Sequence, residues 1–410
     1  MPHDPSVLIA QFRESLTQQR YNPVTVHNYC CNAAHFLRYL AEREIAVEMV
    51  TPTEVFNYLR CAVQWFRKRH GRSPGPHWIS IPRAAIHGLL RRVQKLWPPE
   101  TVASDPGEAL CQAVCREYQE WLTIKRGLAV ASVYDLMWEA RHFLSWYIKR
   151  ITVVSFMEIG IQDIDAYFDM RAPGLRRRSL KDVGERLRSL VRYLHSAGHT
   201  AADLAPHIIA PTLYAYETIP SALSPEQIAA VLKTTRDDPS PMGLRDYAIL
   251  LLLSTYGMRN GEISRLRLDD IDWRAETLRI HHSKTGRHSL LPLLEPVGEA
   301  LLNYLRRGRP ETDVREIFIR TRAPYRALSG IYIEVRRRLE AAGVKLNGKC
   351  GPHTFRHARA VSLLRASVPQ KVIGDLLGHR SAESTIPYLK LATEDLRAIA
   401  LEVPGKEARS

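Results

Sequence analysis

The sequence predicts a mainly α-helical protein of three segments, the last of which is an α+β domain with a small β-hairpin or sheet. Apolar residues recur at helical spacing through most of the chain. The stretch "TLRIHHSKTGRHSLLPL" (277–293) instead alternates around a Gly-containing turn, which predicts the hairpin. Two proline-rich stretches, 96–107 and 205–227, separate the segments. Each segment is long enough to bury a core of its own.

The first two segments resemble each other. "TVHNYCCNAAHFLRYL" (25–40) aligns with "SVYDLMWEARHFLSWY" (132–147), and Tyr58-Leu59 then aligns with Tyr167-Phe168. A weaker match sets residues 89–96 beside 189–196. Any two amphipathic helices share apolar positions. The shared His-Phe-Leu triplet and the common order of three elements nevertheless favour a duplicated module of four or five helices.

The third segment, 221–410, opens with a capping-box pattern at Ser224, Pro225 and Gln227. A long apolar helix over 244–257 would end at Gly257. The hairpin follows, and from about residue 294 the pattern is helical again. Helices therefore dominate this segment as well.

Composition points to a polyanionic partner. The net charge is +15, divided as +5 in residues 1–107, +2 in 108–216 and +8 in 217–410. Lysines and arginines on every segment can displace counterions from the phosphates of DNA. RNA or an acidic membrane surface would also fit the charge.

The sequence predicts a cytoplasmic protein without a metal or cofactor. The longest apolar run, 248–253, is far shorter than the ~18–20 residues of a membrane span. The six cysteines are scattered without zinc-ligand spacing. Cys111 and Cys115, four residues apart on a predicted helix, are expected to be core thiols, and reduced, buried cysteines are the general expectation.

Two basic side chains stand at positions where an anion could bind. Arg259 follows Gly257 at a helix start, where the helix dipole disfavours a cation, so anion binding competes with the role of an ordinary surface arginine. Lys284 lies at the hairpin tip. A lysine in a turn is usually only solvated, but the tip of a β-ribbon can also reach into a DNA groove.

Four further candidates lie towards the end of the chain. His353 and Arg356 in "HTFRHARA" are three residues apart, so they share one helix face and can hold a phosphate from two sides. The stretch lacks an HExxH zinc pattern. A helix with Pro369 in its first turn ends at Gly378, His379 follows, and Tyr388 comes nine residues later.

Each candidate has an ordinary structural explanation by itself, Tyr388 as a packed aromatic. Together they suit a nucleophilic tyrosine. A tyrosine of pKa near ~10 needs a base or a positive pocket to attack a phosphodiester. Two arginines, a lysine and two histidines would supply both, and would stabilise a pentacoordinate phosphate without a metal.

Four motifs resemble, in order, those of the tyrosine recombinase (phage integrase) family, including Xer-type recombinases. They are "TYGMRNGEISRLRLDDID", "SKTGRHSLLPL", "HTFRHARAVSLL" and "LLGHRSAESTIPYL". The resemblance covers residues 220–400, and four ordered motifs are a highly specific signal.

The resemblance implies a role for each candidate. Arg259 and Arg356 would clamp the scissile phosphate, with a hydrogen bond from His353. Lys284 would protonate the leaving 5′ oxygen, and His379 would hold or help activate the site. Tyr388 would form a 3′-phosphotyrosyl link, which conserves the bond energy so that strands are resealed without ATP.

The resemblance also implies a domain organisation. Residues 108–205 would be a helical core-binding (SAM-like) domain, 220–400 the catalytic domain and 401–410 a tail. Some integrases carry a further N-terminal DNA-binding domain, which is one interpretation of residues 1–100. The likeness of this segment to the second one instead favours a second core-binding-like, DNA-binding-like module, in contact with flanking DNA or with a neighbouring subunit. Pro387 departs from the family pattern and either tunes or impairs the delivery of Tyr388.

Three functions remain open at this point. The first is a site-specific recombinase that integrates, excises, transposes or resolves a mobile element, working on double-stranded DNA as a homo-oligomer, such as a tetramer on two sites, or with related recombinases. The second is a topoisomerase of the tyrosine class, which the paired N-terminal modules disfavour. The third is an inactive protein that binds and organises DNA.

Overall fold

The computed structural model describes residues 4–75, 77–94, 96–99, 103–151, 154–214, 222–282, 286–345 and 350–378. These residues are mostly helical, with one three-stranded antiparallel sheet, so the predicted fold class is confirmed. The chain divides into two compact units. One contains residues 1–98 and 218–410, and the other contains residues 99–217.

The described residues of the first segment form four α-helices: α1 (Pro5–Gln18), α2 (Pro23–Ala41), α3 (Pro52–His70) and α4 (Ser80–Val93). Helices α1 to α3 each begin with a proline, which lacks the N–H that a helix start leaves unpaired. Asp4, Asn22 and Thr51 cap these helices through their side chains. Their apolar faces meet in a core of their own.

The second segment contains α5 (Pro106–Glu120), α6 (Val130–Ile148), α7 (Ile161–Arg171) and α8 (Arg177–Ser196). A short π-helical stretch, Trp121–Lys125, follows α5. The buried faces of these helices form a second hydrophobic core. Both segments therefore match the predicted four- or five-helix size.

The two segments repeat the same arrangement of buried side chains. Phe36 packs edge-on against Tyr58 with ring centroids 5.0 Å apart, and the aligned pair Phe143 and Tyr167 does so at 5.2 Å. Buried residues of α1 also recur in α5 and the π-helical stretch after it: Leu8, Phe12 and Leu16 correspond to Val114, Tyr118 and Leu122. The similarity in buried positions therefore extends to α1 and α5, where the sequence comparison shows none.

The predicted third match is wrong by one residue. Buried positions in α4 coincide with those of α8 at an offset of 101, whereas the sequence comparison used 100. At the corrected offset Ile86, Leu89 and Leu90 correspond to Leu187, Leu190 and Val191. At an offset of 100 only Leu90 and Arg92 are identical to their counterparts, Leu190 and Arg192, and burial of the apolar face decides the alignment instead.

The third segment builds its core around α10. Its elements are α9 (Pro225–Arg236), α10 (Pro241–Tyr256), α11 (Asn260–Ser264), β1 (Ile271–Asp272), β2 (Thr277–His282), β3 (Arg287–Pro292), α12 (Glu295–Asn303), α13 (Tyr332–Ala341), α14 (Pro352–Arg365) and α15 (Gln370–Leu377). The strand order is β1-β2-β3. The apolar residues of α10 are buried around its circumference, and Gly257 ends it in the left-handed conformation, as predicted.

Local signals fixed most of these boundaries. The capping box at Ser224 and Gln227 is confirmed, and so is the hairpin, in which His282 pairs with Arg287. The expectation of continuous helix after residue 294 is wrong for 309–331. There the backbone is irregular and forms isolated bridges at Arg267–Glu316 and Ile319–Ala327. Pro369 is the N-cap of α15 rather than part of its first turn.

The cysteines only partly follow expectation. Cys111 and Cys115 are buried core thiols on α5, and burial raises their pKa to about 12 and about 11. Cys30 is buried too, but Cys31 and Cys61 are exposed because they lie on the outward faces of α2 and α3. All six thiols are free. In the described part of the chain, no helix combines the length and apolarity of a bilayer span.

Candidate active site

Arg259 occupies the N-cap position of α11, immediately beyond the break that Gly257 makes in the chain. Its unfavourable position at a helix start is compensated by Glu262 in the first turn. The backbone N–H of Arg259 donates to Glu262 Oε2 at 2.8 Å, and Nη1 donates to Oε1 at 2.7 Å. The side chain therefore has a fixed direction, and Nη2 remains available to donate elsewhere.

Glu262 is a buried carboxylate that joins two elements. Besides Arg259, it accepts a hydrogen bond from Nδ1 of His282, the last residue of β2, at 2.8 Å. Burial acts to raise the pKa of Glu262, but hydrogen bonds from His282 and Arg259 outweigh it and lower the pKa overall. Glu262 is thus an ionised anchor between the helix start and the hairpin.

His282 uses both ring nitrogens and is 4% exposed. Its Nε2 lies 2.8 Å from the hydroxyl of Ser289 on β3. In the tautomer in which Nδ1 donates to the carboxylate, Nε2 accepts from the Ser289 hydroxyl. The bond network fixes the end of β2, directly before the segment that contains Lys284.

Arg356 lies on α14 and is 4% exposed. Its Nη1 donates to the carbonyl of Gly257 at 2.8 Å, and its Nη2 donates to the carbonyl of Leu377. Arg259 Nη2 donates to the next carbonyl, that of Gly378, at 2.8 Å. The two guanidinium groups therefore meet at the C-terminal end of α15, one residue before His379.

Gly378 is required at this meeting point. Its φ of +61° lies in the left-handed region. A Cβ on this residue would come within 2.6 to 2.8 Å of the His282 ring. Backbone and ring therefore pack closely, and α15 ends against the Glu262 network.

His353 is exposed in the first turn of α14, three residues before Arg356. Its ring stacks on that of His357 with centroids 6.2 Å apart. Burial, followed by the charges of His353 and Arg356, lowers the pKa of His357 to about 4. His357 is therefore neutral near pH 7, and it adds no charge beside the two candidate residues.

The structure thus brings Arg259 and Arg356 together and places His353 on the same helix as Arg356. Lys284, His379 and Tyr388 lie outside the described residues, as do Pro387 and the tail. Strands β2 and β3 flank Lys284, and Gly378 directly precedes His379. Among the described residues, no three His, Cys, Asp or Glu side chains assemble as a metal site.

Sequence reasoning missed Glu262 and His282. Glu262 stands three residues after Arg259, the spacing of a side chain that caps its own helix start. His282 alternates with Leu278 and Ile280, both buried on the inner face of β2. Both signals were present in the sequence, but the contact between the two residues depends on tertiary packing.

Comparison with known proteins gives the same family as the motifs. Residues 221–395 match the model of the Phage integrase family. The protein y4rA of Sinorhizobium fredii, named an integrase/recombinase, is 31% identical over 98% of this chain and 95% of its own length. The chain belongs to this family. It is a tyrosine site-specific recombinase, and the topoisomerase and inactive alternatives are not favoured.

Two further relatives of this recombinase cover less of it. The protein y4gC of the same organism, also named an integrase/recombinase, is 67% identical over 46% of the chain and 98% of its own length. Tyrosine recombinase XerD of Vibrio cholerae is 27% identical over 70% of the chain and 95% of its own length.

Among solved structures, XerH site-specific recombinase bound to palindromic difH substrate superposes with a TM-score of 0.54. That match covers 73% of this chain and 90% of XerH at 15% identity, so it supports the fold alone.

Proposed function

We propose that this recombinase cleaves and rejoins double-stranded DNA with Tyr388 as its nucleophile. The observation that carries the proposal is the convergence of Arg259 and Arg356 on the consecutive carbonyls of Gly378 and Leu377. Guanidinium groups that hold carbonyl oxygens can exchange them for the non-bridging oxygens of a phosphate, in a fixed geometry.

The proposed reaction is a phosphoryl transfer between oxygens. The phenolic oxygen of Tyr388 attacks the scissile phosphorus, and the bond from phosphorus to the 5′ oxygen breaks. Lys284 gives its proton to that leaving oxygen, and the tyrosine proton passes to a base, for which His379 is the candidate. The 3′-phosphotyrosyl link keeps the phosphodiester bond energy, so a second 5′ hydroxyl reverses the reaction on another strand.

The arginines would act mainly on the transition state. The pentacoordinate phosphate carries more negative charge on its equatorial oxygens than the ground state does. Arg259 and Arg356 would bind these oxygens, and His353 would add a hydrogen bond. Glu262 is an ionised carboxylate that would repel the phosphate, so Glu262 and its partner His282 position Arg259 and the hairpin without touching the phosphate.

Several solved relatives of this fold are complexes with DNA. One is described as a lambda integrase dimer bound to a COC' core site, another as a lambda integrase tetramer bound to a Holliday junction. We extend that mode to this chain: a homo-oligomer, with four subunits on two DNA sites, in which each exchanges one strand. The distributed positive charge supports duplex DNA as the partner.

Nicked suicide substrates test the proposal. Duplexes tiled across the DNA that flanks the gene, each nicked near one position, trap the covalent adduct because the nicked fragment diffuses away. The purified protein should form an adduct that survives denaturing gel electrophoresis. Tyr388→Phe should form none on the same duplex.

Three results would count against the proposal. Adduct formation by Tyr388→Phe would exclude this nucleophile, and no adduct with any duplex would exclude cleavage. Relaxed circles without recombinant products from a two-site plasmid would exclude strand exchange between sites.

A further inference from the structure

Helix α3 differs from its counterpart in the second module. The starts of α3 and α7 correspond, but α3 has 19 residues and α7 has 11. The extra residues include Trp65, Arg67, Lys68 and Arg69. The first module therefore carries an extension that the shared fold does not require.

The second half of the first module carries basic side chains without acidic ones. Residues 55–99 contain nine Lys or Arg and no Asp or Glu. The equivalent stretch of the second module, 164–200, contains eight basic and four acidic residues. The corresponding helices of the second module fold with acidic residues present. The fold therefore does not require residues 55–99 to lack them.

Five of these cations lie on α3 or just after it, and they are exposed: Arg60 in the middle of the helix, Arg67, Lys68 and Arg69 in its last turn, and Arg72 beyond it. We call this set the α3 basic end. Within the described residues none of the five forms an ion pair with a carboxylate, whereas Arg171 and Arg186 of the second module lie close to buried Glu139. One or two cations would satisfy the helix dipole, so the four that lie in the last turn of α3 and just after it exceed that need.

Exposed aromatic rings accompany the charges. Arg69 stacks over Trp65 at 5.2 Å and Arg60 over Phe56 at 5.8 Å, and both rings are more than half exposed. Such rings provide flat surfaces next to cations, as nucleic-acid sites commonly do. Phe66 packs on Trp78 at 5.0 Å, which fastens the connection to α4 against the helix end.

We propose that the α3 basic end binds the phosphate backbone of duplex DNA that flanks the recombination site. Arg60 and Arg67 are seven residues apart on one helix face, so they can contact the same strand. The inference rests on the proposed function, since it assumes that the enzyme acts on DNA. Flanking DNA is favoured over a neighbouring subunit as the partner, because a surface without acidic residues repels its own copy and attracts a polyanion.

A charge-matched pair of variants tests this surface in the full chain. The test variant replaces Arg67, Lys68 and Arg69 with Gln. The control variant replaces Arg13, Arg38 and Arg43, exposed residues of the same module that alternate with acids, also with Gln. The probe is a fluorescent duplex of about four helical turns, with binding followed by anisotropy at several salt concentrations.

The test variant should bind the duplex about tenfold more weakly, and the slope of log affinity against log salt should fall by up to about 2.7. The control should change neither quantity by as much. Hydroxyl-radical footprints of the adduct should lose protection outside the cleavage region in the test variant only. Adduct yield on a short nicked duplex should stay unchanged, which separates this surface from the catalytic proposal.

Equal behaviour of the two variants would overturn the inference. So would a test variant that binds DNA normally but loses self-association in sedimentation, because the surface would then be a subunit contact. Failure of the wild type to form any adduct would refute the cleavage proposal instead. The slope of log affinity against log salt, measured on intact duplex, would still test the α3 basic end.

Discussion

Arg259 and Arg356 donate to the carbonyl oxygens of adjacent residues, Gly378 and Leu377. They come from different helix ends: Arg259 caps α11, and Arg356 projects from the second turn of α14. The C-terminal carbonyls of α15 carry the negative end of its dipole. The two guanidinium groups are therefore held in fixed directions before any phosphate arrives, and the phosphate oxygens would replace these carbonyls at the same donors.

Arg356→Lys is expected to slow adduct formation by about 10²- to 10³-fold, because a lysine cannot present two donors in a fixed fork. The measurement is the single-turnover rate on the nicked duplex. The charge is unchanged, so affinity for the duplex should stay near the wild-type value. Arg336→Lys, at an exposed ion pair with Glu340 on α13, is the matched control. A wild-type rate for Arg356→Lys would refute the phosphate clamp.

Glu262→Gln should lower the free energy of unfolding by about 1–3 kcal/mol, because the amide replaces a buried carboxylate that accepts from both Arg259 and His282. Chemical denaturation measures this loss. The adduct rate should also fall, with Tyr388 untouched. Glu340→Gln, at an exposed carboxylate, is the control. Full stability together with full activity would show that the network does not position Arg259.

The same variant should change the pH dependence of stability. Folding lowers the pKa of Glu262 below its ordinary value of 4.5, so its contribution is present above about pH 4.5 and is lost as pH falls through the folded pKa. The difference in unfolding free energy between wild type and Glu262→Gln should therefore shrink in acid. A difference that stays constant from pH 7 downward would contradict the assignment of an ionised Glu262.

The lowered pKa of His357 predicts a second effect of pH on stability, at higher pH than the effect of Glu262. Its pKa in the folded chain is about 4, below the ordinary 6.5. Between these two pH values the unfolded chain therefore binds a proton at this residue and the folded chain does not. Stability should fall as pH decreases from about 6.5 to about 4. His357→Phe should flatten this slope in equilibrium denaturation, whereas His27→Phe, on an exposed part of α2, should not. Equal slopes in the three proteins would refute the prediction.

Features that are set by neighbouring residues could be predicted from the sequence, whereas contacts between distant residues could not. The capping box at Ser224, the helix stop at Gly257 and the hairpin are set by neighbouring residues, and all three were predicted. The hydrogen bond between Glu262 and His282 joins residues that are twenty positions apart. Neither the helix-cap spacing of Glu262 nor the alternation of His282 with buried residues of β2 predicts that contact. The irregular chain over 309–331 was missed because its apolar residues also suit helical spacing.

Gly378→Ala should destabilise the recombinase beyond the cost of its backbone conformation. The added Cβ would collide with the His282 ring, in addition to the strain of a positive φ. Gly343→Ala is the matched control, because Gly343 also has a positive φ but has open space around it. Thermal denaturation should show the larger loss for Gly378→Ala. Equal losses would mean that the packing of Gly378 on His282 contributes nothing.

Tyr58 and Tyr167, which are aligned in the two modules, are expected to differ in how much their hydroxyl groups contribute to stability. The hydroxyl of Tyr167 donates to buried Glu139 at 2.7 Å, and burial, followed by this carboxylate, raises the pKa of Tyr167. Tyr58 keeps the same edge-on contact with a phenylalanine, but its hydroxyl has no hydrogen-bond partner among the described residues. Tyr167→Phe should therefore lower the free energy of unfolding by about 1–3 kcal/mol, and Tyr58→Phe by less than about 0.5 kcal/mol. Urea denaturation of both variants measures the difference, and equal losses would show that the ring contact alone carries the stability of both modules.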